Sequence, residues 1–125
     1  MITLVRTDLS NDNRYLSRYE HIITDTLKCI HGNYNVKLTI PELCKRAGMS
    51  ERLLSSTFKA VTGKTIVEYI IDLKIAKAKQ LLNETDLRVT DISYELGFND
   101  CSYFDKLFKK HVGISPNVYR KNKRK

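Results

Sequence analysis

Residues 38–48, LTIPELCKRAG, return as residues 87–97, LRVTDISYELG, at an offset of 49. Beyond the glycine the offset becomes 50: Leu54, Phe58, Lys59, Gly63 and Tyr69 match Phe104, Phe108, Lys109, Gly113 and Tyr119. The repeated unit is a short helix, a glycine-containing turn and a longer helix, which is the helix-turn-helix pattern. Two helices that cross steeply over a tight turn need a small residue at the crossing. Cys44 and Ser93 each stand four residues before the glycine. Gly48 and Gly97 occupy the turn, Met49 and Phe98 follow as apolar plugs, and Leu43, Leu54, Ile92 and Phe104 are expected to close each small core.

Helix signals extend the pattern in both directions. Thr39 and Glu42 form a capping box with Pro41 in the first turn, opening a helix over about Ile40–Ala47. Ser50 caps the next, to about Val61, and Gly63 stops it. A further box, Thr65 and Glu68, opens a longer helix through Asn83 with Ile66, Tyr69, Ile70, Leu73 and Ala76 on one stripe. In the second copy a helix over Val89–Leu96 is predicted, with Arg88 where Thr39 caps its counterpart, so that cap is missing. Asn99 is placed to cap a helix to about His111, and Ser115-Pro116 starts a last short one. Upstream, Leu16, Tyr19, Ile23, Leu27 and Ile30 trace one helical stripe, with Ser17 and Glu20 as capping box and Gly32 as stop. Residues 1–15 give no comparable pattern and fit an arm, a linker remnant or a short strand. The predicted class is all-α, with about seven helices.

Composition bounds the function. The 125 residues carry 22 Lys and Arg against 14 Asp and Glu, a formal net charge of +8, with 42% hydrophobic and 29% charged residues. This is a globular balance for one domain or two small ones sharing a seam. No apolar run approaches the ~20 residues of a membrane helix, and Met1–Arg6 lacks a signal-peptide apolar region, so a soluble cytoplasmic protein is expected. The basic excess favours a polyanionic partner but is uneven. Most of the excess lies in residues 114–125, whose five cations all stand in the tail Arg120-Lys121-Asn122-Lys123-Arg124-Lys125, read as a flexible phosphate-seeking or solubilising end. Residues 87–113 are neutral overall.

Cys29, Cys44 and Cys101 suit neither a disulfide framework nor a CxxC motif, and Cys29 and Cys44 read as small core residues. His21, His31 and His111 share no ligand spacing with them, so no metal is expected. No Ser/His/Asp set, paired-acid motif or glycine-rich phosphate loop marks an enzyme, and neither a cofactor nor a small-molecule ligand is implied. Tyr103, Tyr119 and the phenylalanines read as core and rim.

The outer faces of the two longer helices carry the functional signal. Arg52, Ser55, Ser56 and Lys59 fall at i, i+3, i+4 and i+7, opposite Leu54, Phe58 and Val61. Ser102, Asp105, Lys106 and Lys109 do the same opposite Phe104, Leu107, Phe108 and Val112. Small and basic groups in a stripe suit a helix pressed against base edges, although a solvated helix face has the same pattern.

Residues 97–120, GFNDCSYFDKLFKKHVGISPNVYR, closely resemble the signature of the AraC/XylS family of bacterial transcription regulators. The pieces are Gly97-Phe98, Ser102-Tyr103-Phe104, Phe108-Lys109-Lys110, Gly113, Ser115-Pro116 and Tyr119-Arg120. The first unit, from Gly48-Met49-Ser50 through Leu54, Phe58-Lys59 and Gly63, resembles that family's less uniform first motif. The resemblance covers roughly residues 17–121. It implies two homeodomain-like helix-turn-helix bundles joined by a linker helix. The corresponding boundaries are 1–16 for an arm or linker remnant, 17–64 for the first subdomain, 65–83 for the linker helix, 84–121 for the second subdomain and 122–125 for a basic tail. At ~1.5 Å per residue a connector over about Ile66–Asn83 spans roughly 27 Å, enough to set two recognition helices near the ~34 Å spacing of successive major grooves.

Carried over position by position, the family's base-reading residues fall on Arg52, Ser55 and Ser56 near 50–61, and on Cys101, Ser102, Asp105 and Lys106 near 100–111. Ser50, Lys59, Asn99, Lys109 and Lys110 are assigned to phosphates, which fix register without reading sequence. Asp105 repels phosphate and Cys101 is a weak hydrogen-bonding group, so the second helix is expected to specify weakly or act as a clamp. The resemblance implies an activator that binds double-stranded DNA in the nucleoid and touches RNA polymerase. It is either a stand-alone regulator or the C-terminal part of a longer chain. The alternative is a helical interaction module or anti-activator that has lost DNA binding.

Overall fold

The computed structural model describes residues 13–35 and 38–123. The reading of residues 1–12 as an arm, linker or strand lies outside them, as do the last two residues of the tail. Seven helices and no strand are found among the described residues: α1 (Asn13–Asn33), α2 (Ile40–Ala47), α3 (Glu51–Thr62), α4 (Ile66–Glu84), α5 (Val89–Glu95), α6 (Cys101–Val112) and α7 (Pro116–Lys123). The all-α class is borne out.

Local chemistry accounts for most of the helix ends. Thr39 holds an extended backbone (φ −104°, ψ 151°), and its hydroxyl oxygen accepts from the Glu42 amide at 3.3 Å. Glu42 Oε1 accepts in return from the Thr39 amide at 3.1 Å and hydroxyl at 2.7 Å. These bonds from Thr39, side chain first and then backbone, outweigh a small burial penalty. With a minor contribution from Arg46 they hold the Glu42 carboxyl below its usual range. The second box repeats the geometry: the Thr65 amide donates to Glu68 Oε1 at 2.9 Å, and the Glu68 amide to the Thr65 hydroxyl at 3.1 Å. Arg88 makes no side-chain cap, as expected. Its Nε instead donates to Asp91 Oδ2 at 3.2 Å.

Several helix ends and faces differ from those expected. α1 begins at Asn13, so Ser17 and Glu20 lie inside it, and the predicted arm loses residues 13–16 to helix. Arg14, Tyr15 and Leu16 contain no glycine or proline to stop another turn forming. Gly32 lies within the last turn rather than ending the helix, a position where a flexible residue costs little. The residue capping α6 is Asp100, not Asn99: its carboxylate accepts from the Ser102 amide at 2.9 Å. On α4, Ala76 is exposed, while Ile75, Ala78 and Leu82 are buried. α7 continues to Lys123, so Arg120 to Lys123 are not a flexible end. Arg120 is half-buried and donates through Nε to the Leu82 carbonyl (3.1 Å) and through Nη2 to that of Thr85 (3.2 Å), closing the C-terminal end of α4.

The described residues form two compact units, 13–33 with 38–70, and Tyr34–Asn35 with 71–123. The first has a core of Ile23, Ile30, Leu43, Leu54, Phe58 and Ile66, all nearly inaccessible to solvent. Tyr69 stacks edge-on to Phe58 at 5.8 Å, and its hydroxyl pairs with His31 Nε2 at 2.7 Å. The second is built on Ile75, Ala78, Leu82, Ile92, Leu96, Phe98, Phe104, Phe108 and Tyr119. Its rings run in series from Phe98 to Phe104 (5.2 Å), Phe108 (5.9 Å) and Tyr119 (5.6 Å). This chain of aromatic contacts fixes α6 against α7.

Candidate nucleic-acid interface

Each helix-turn-helix is held by the same hydrogen bonds one repeat apart. In the first, the Gly48 amide donates to the Lys45 carbonyl (3.3 Å) and the Met49 amide to that of Cys44 (3.1 Å). In the second, Gly97 donates to Tyr94 (3.0 Å) and Phe98 to Ser93 (3.0 Å). This closure of a helix end requires a left-handed residue, met by Gly48 (φ 68°) and Gly97 (φ 87°). Ser93 is fully buried at the crossing and donates its hydroxyl to the Thr90 carbonyl at 2.7 Å, so its polar atom is satisfied. Cys44 and Cys29 are only half-buried rather than core residues, because neither helix is fully covered at those positions.

The recognition helices follow. α3 starts one residue after Ser50, whose hydroxyl accepts from the Leu53 amide at 3.2 Å, and α6 one residue after Asp100. Both run to 62 and 112, one residue beyond the expected limits. Leu54 and Phe58 on α3, and Phe104, Leu107 and Phe108 on α6, are buried. Their burial fixes the rotation of each helix and turns the opposite stripe outward.

Arg52, Ser55, Ser56 and Lys59 are all exposed on α3, with Ser50 exposed at its cap. Ser102, Asp105, Lys106, Lys109 and Lys110 are exposed on α6, and Asn99 is exposed in the turn before it. Cys101 is half-buried. The Asp105 residue is open, yet partial desolvation raises its carboxyl above the ordinary aspartate value. Each set lies on one face of its own helix.

Three features of the second unit have no signature in local sequence pattern. Lys74 is half-buried with its ammonium 4.7 Å from the Phe98 ring centroid, and burial lowers its affinity for the proton. Lys77 lies 5.7 Å over Tyr34. A Cβ placed on Gly97 would stand 2.8 Å from the Asn35 carbonyl oxygen, whereas one on Gly48 would meet nothing within 4 Å. No local pattern encodes a contact across 62 residues of chain, although the aromatic Tyr34 in a polar loop was a hint. Among the described residues no group of three His, Cys, Asp or Glu side chains is placed to hold a metal ion.

Residues 43–122 match the family described as "Helix-turn-helix domain". A curated relative, the HTH-type transcriptional activator RhaR of Enterobacter sp. (strain 638), is 30% identical over 125 residues, all of this chain and 44% of the relative. The chain belongs to the AraC/XylS-type helix-turn-helix family. Solved structures share the fold. The C-terminal domain of the two-component response regulator yesN from Fusobacterium nucleatum matches with a TM-score of 0.73 and 32% identity, over 76% of this chain and 93% of that one. A regulator from Chromobacterium violaceum, described as AraC-type DNA-binding domain-containing, matches in fold with a TM-score of 0.76 and 24% identity, over 83% and 93%. The chain thus spans less than half the length of the RhaR relative.

Proposed function

We propose that this chain is a sequence-specific double-stranded DNA-binding transcription regulator, an activator that acts by binding rather than by catalysis. The observation that supports this most directly is the duplicated, solvent-facing polar stripe on α3 and α6, each set by a matched turn and cap. Arg52 is the principal base reader, since its planar fork matches guanine O6 and N7. Ser55 and Ser56 are short and contact bases singly or through water. On α6, Ser102 and Lys106 make the base contacts, with Cys101 and Asp105 contributing selectivity by what they exclude. Ser50, Lys59, Asn99, Lys109 and Lys110 hold phosphates. Arg120 stays out of the DNA contacts, because its guanidinium is committed to the Leu82 carbonyl on α4 and the Thr85 carbonyl just beyond it. The activator role includes a contact with RNA polymerase in the cytoplasm.

Selection of bound duplexes from a random DNA pool, followed by footprinting, tests the proposal. The expected result is an enriched motif with two protected segments. Absence of enrichment overturns DNA reading in favour of an interaction module.

A further inference from the structure

Two large apolar side chains lie exposed on the recognition helices themselves: Leu53 on α3 (41% exposed) and Tyr103 on α6 (53%). Singly exposed apolar residues are ordinary on any surface. These two are set apart by occupying the same position of the repeat, at the offset of 50 that relates Leu54 to Phe104 and Phe58 to Phe108. A helix advances about 100° per residue. Leu53 therefore shares a line with Ser56 and Ala60, and Tyr103 shares one with Lys106 and Lys110. Each line borders its helix's polar stripe. The Tyr103 ring is also fixed in place, edge-on to the buried Phe98 plug at 6.1 Å.

We propose that Leu53 and Tyr103 are specificity residues, each packing on the 5-methyl group of a thymine beside the bases read by the polar stripe. The proposal rests on the DNA-reading function above. The major groove offers one apolar feature per A·T pair, the thymine methyl, and apolar side chains are what recognise it. An exposed leucine or tyrosine gains nothing from water on a solvated helix face. On a face continuous with a base-reading stripe, it gains the burial of that methyl. A protein-contacting patch would have no reason to repeat at the same step of both recognition helices.

The test uses the full chain and a duplex recovered from the random-pool selection, with each thymine replaced in turn by deoxyuridine, which pairs identically but lacks the methyl. Affinity is measured by fluorescence anisotropy for the wild type, Leu53→Ala and Tyr103→Ala. At least one thymine in each protected segment should weaken the wild type about fourfold on replacement, the transfer value of one buried methyl group. The same replacement should leave the matching variant's affinity unchanged. Wild-type binding within twofold for every uracil duplex overturns the proposal whether or not the variants fold, and so does an equal loss in wild type and variants. Failure to recover any bound duplex overturns the DNA-reading function and this inference with it, a result distinct from methyl-blind binding.

Discussion

Gly48 and Gly97 are equivalent in the repeat and have similar left-handed backbones, yet alanine should be tolerated very differently at the two. At Gly48 the new methyl meets nothing within 4 Å, so the cost is conformational. Left-handed backbone costs an L-residue about 1–2 kcal/mol. About 0.4–1 kcal/mol of that is recovered because alanine restricts the unfolded chain. The net loss should be about 0–1.5 kcal/mol. At Gly97 the same strain applies, and the Cβ would also stand 2.8 Å from the Asn35 carbonyl oxygen and 3.0 Å from its carbon. Both are backbone atoms that cannot rotate aside, and forced overpacking of this kind costs about 1–3 kcal/mol more. Gly97→Ala should therefore lose about 1–4.5 kcal/mol, the excess of about 1–3 kcal/mol over Gly48→Ala being the cost of the contact. Urea unfolding of both variants, followed by amide exchange because the two units need not unfold together, measures the difference. Equal losses at the two glycines, or amide shifts in Gly97→Ala that leave Tyr34 and Asn35 undisturbed, would refute the contact.

Arg52→Ala should cost about 1–3 kcal/mol on the selected duplex and relax preference at one base pair, read by competition against single-base variants; an equal loss on random DNA would reduce Arg52 to a phosphate contact. Lys109→Gln should weaken binding to all sequences and reduce the slope of log affinity against log salt by about one, and an unchanged slope removes it from the phosphate set. Asp105→Asn should tighten binding to random duplexes by removing a charge that phosphate repels, whereas a fall in affinity for the selected duplex alone would make Asp105 a base reader. The Glu42 carboxyl titrates below the usual glutamate value in the folded chain. Its contribution is therefore present above the unfolded value and lost as pH falls through the folded one. Glu42→Gln should flatten that acid limb of the stability curve, and an identical limb in the variant would show that the Thr39 bonds do not depend on charge.

What the sequence carried was mostly short-range. The two threonine boxes, the Ser50 and Ser115 caps and the positive-φ glycines of the turns each depend on groups within five residues, so residue type and spacing are enough to place them. The misplaced helix starts have a common form: a local signal with a nearby competitor. Asn99 and Asp100 both suit a cap, and the choice is made where α6 begins, with Asp100 accepting from the Ser102 amide. Ser17 and Glu20 have capping-box spacing, but helix-permissive residues before them let α1 run on. The Arg120 bonds to Leu82 and Thr85, and the Asn35 approach to Gly97, span 35 to 62 residues and leave no trace in periodicity. Of the candidate interface, the exposed stripes were legible because their buried complements repeat at helical spacing. The exposure of Leu53 and Tyr103 was not, since an apolar residue beside a core stripe reads as core.

The repeats also differ in what holds their first helices, and this has consequences for the interface. α2 starts from a reciprocal Thr39–Glu42 box, in which the Thr39 and Glu42 amides are each satisfied by the other residue's side chain. α5 has only seven residues and no side-chain cap, and so depends on tertiary burial: Ile92, Ser93 and Leu96 are all but inaccessible, and Phe98 seals the turn. A helix this short is not stable alone. The second turn is thus maintained by the aromatic series from Phe98 to Tyr119 and by Asn35 against Gly97. Perturbing Phe98 should disorder α5 and the start of α6 together, whereas the equivalent change at half-buried Met49 should leave α2 formed. Amide exchange on Phe98→Ala and Met49→Ala distinguishes the two cases. Protection lost across 89–104 in the first variant and retained across 40–47 in the second is the expected result, and matched losses in both would mean that capping contributes nothing to the difference.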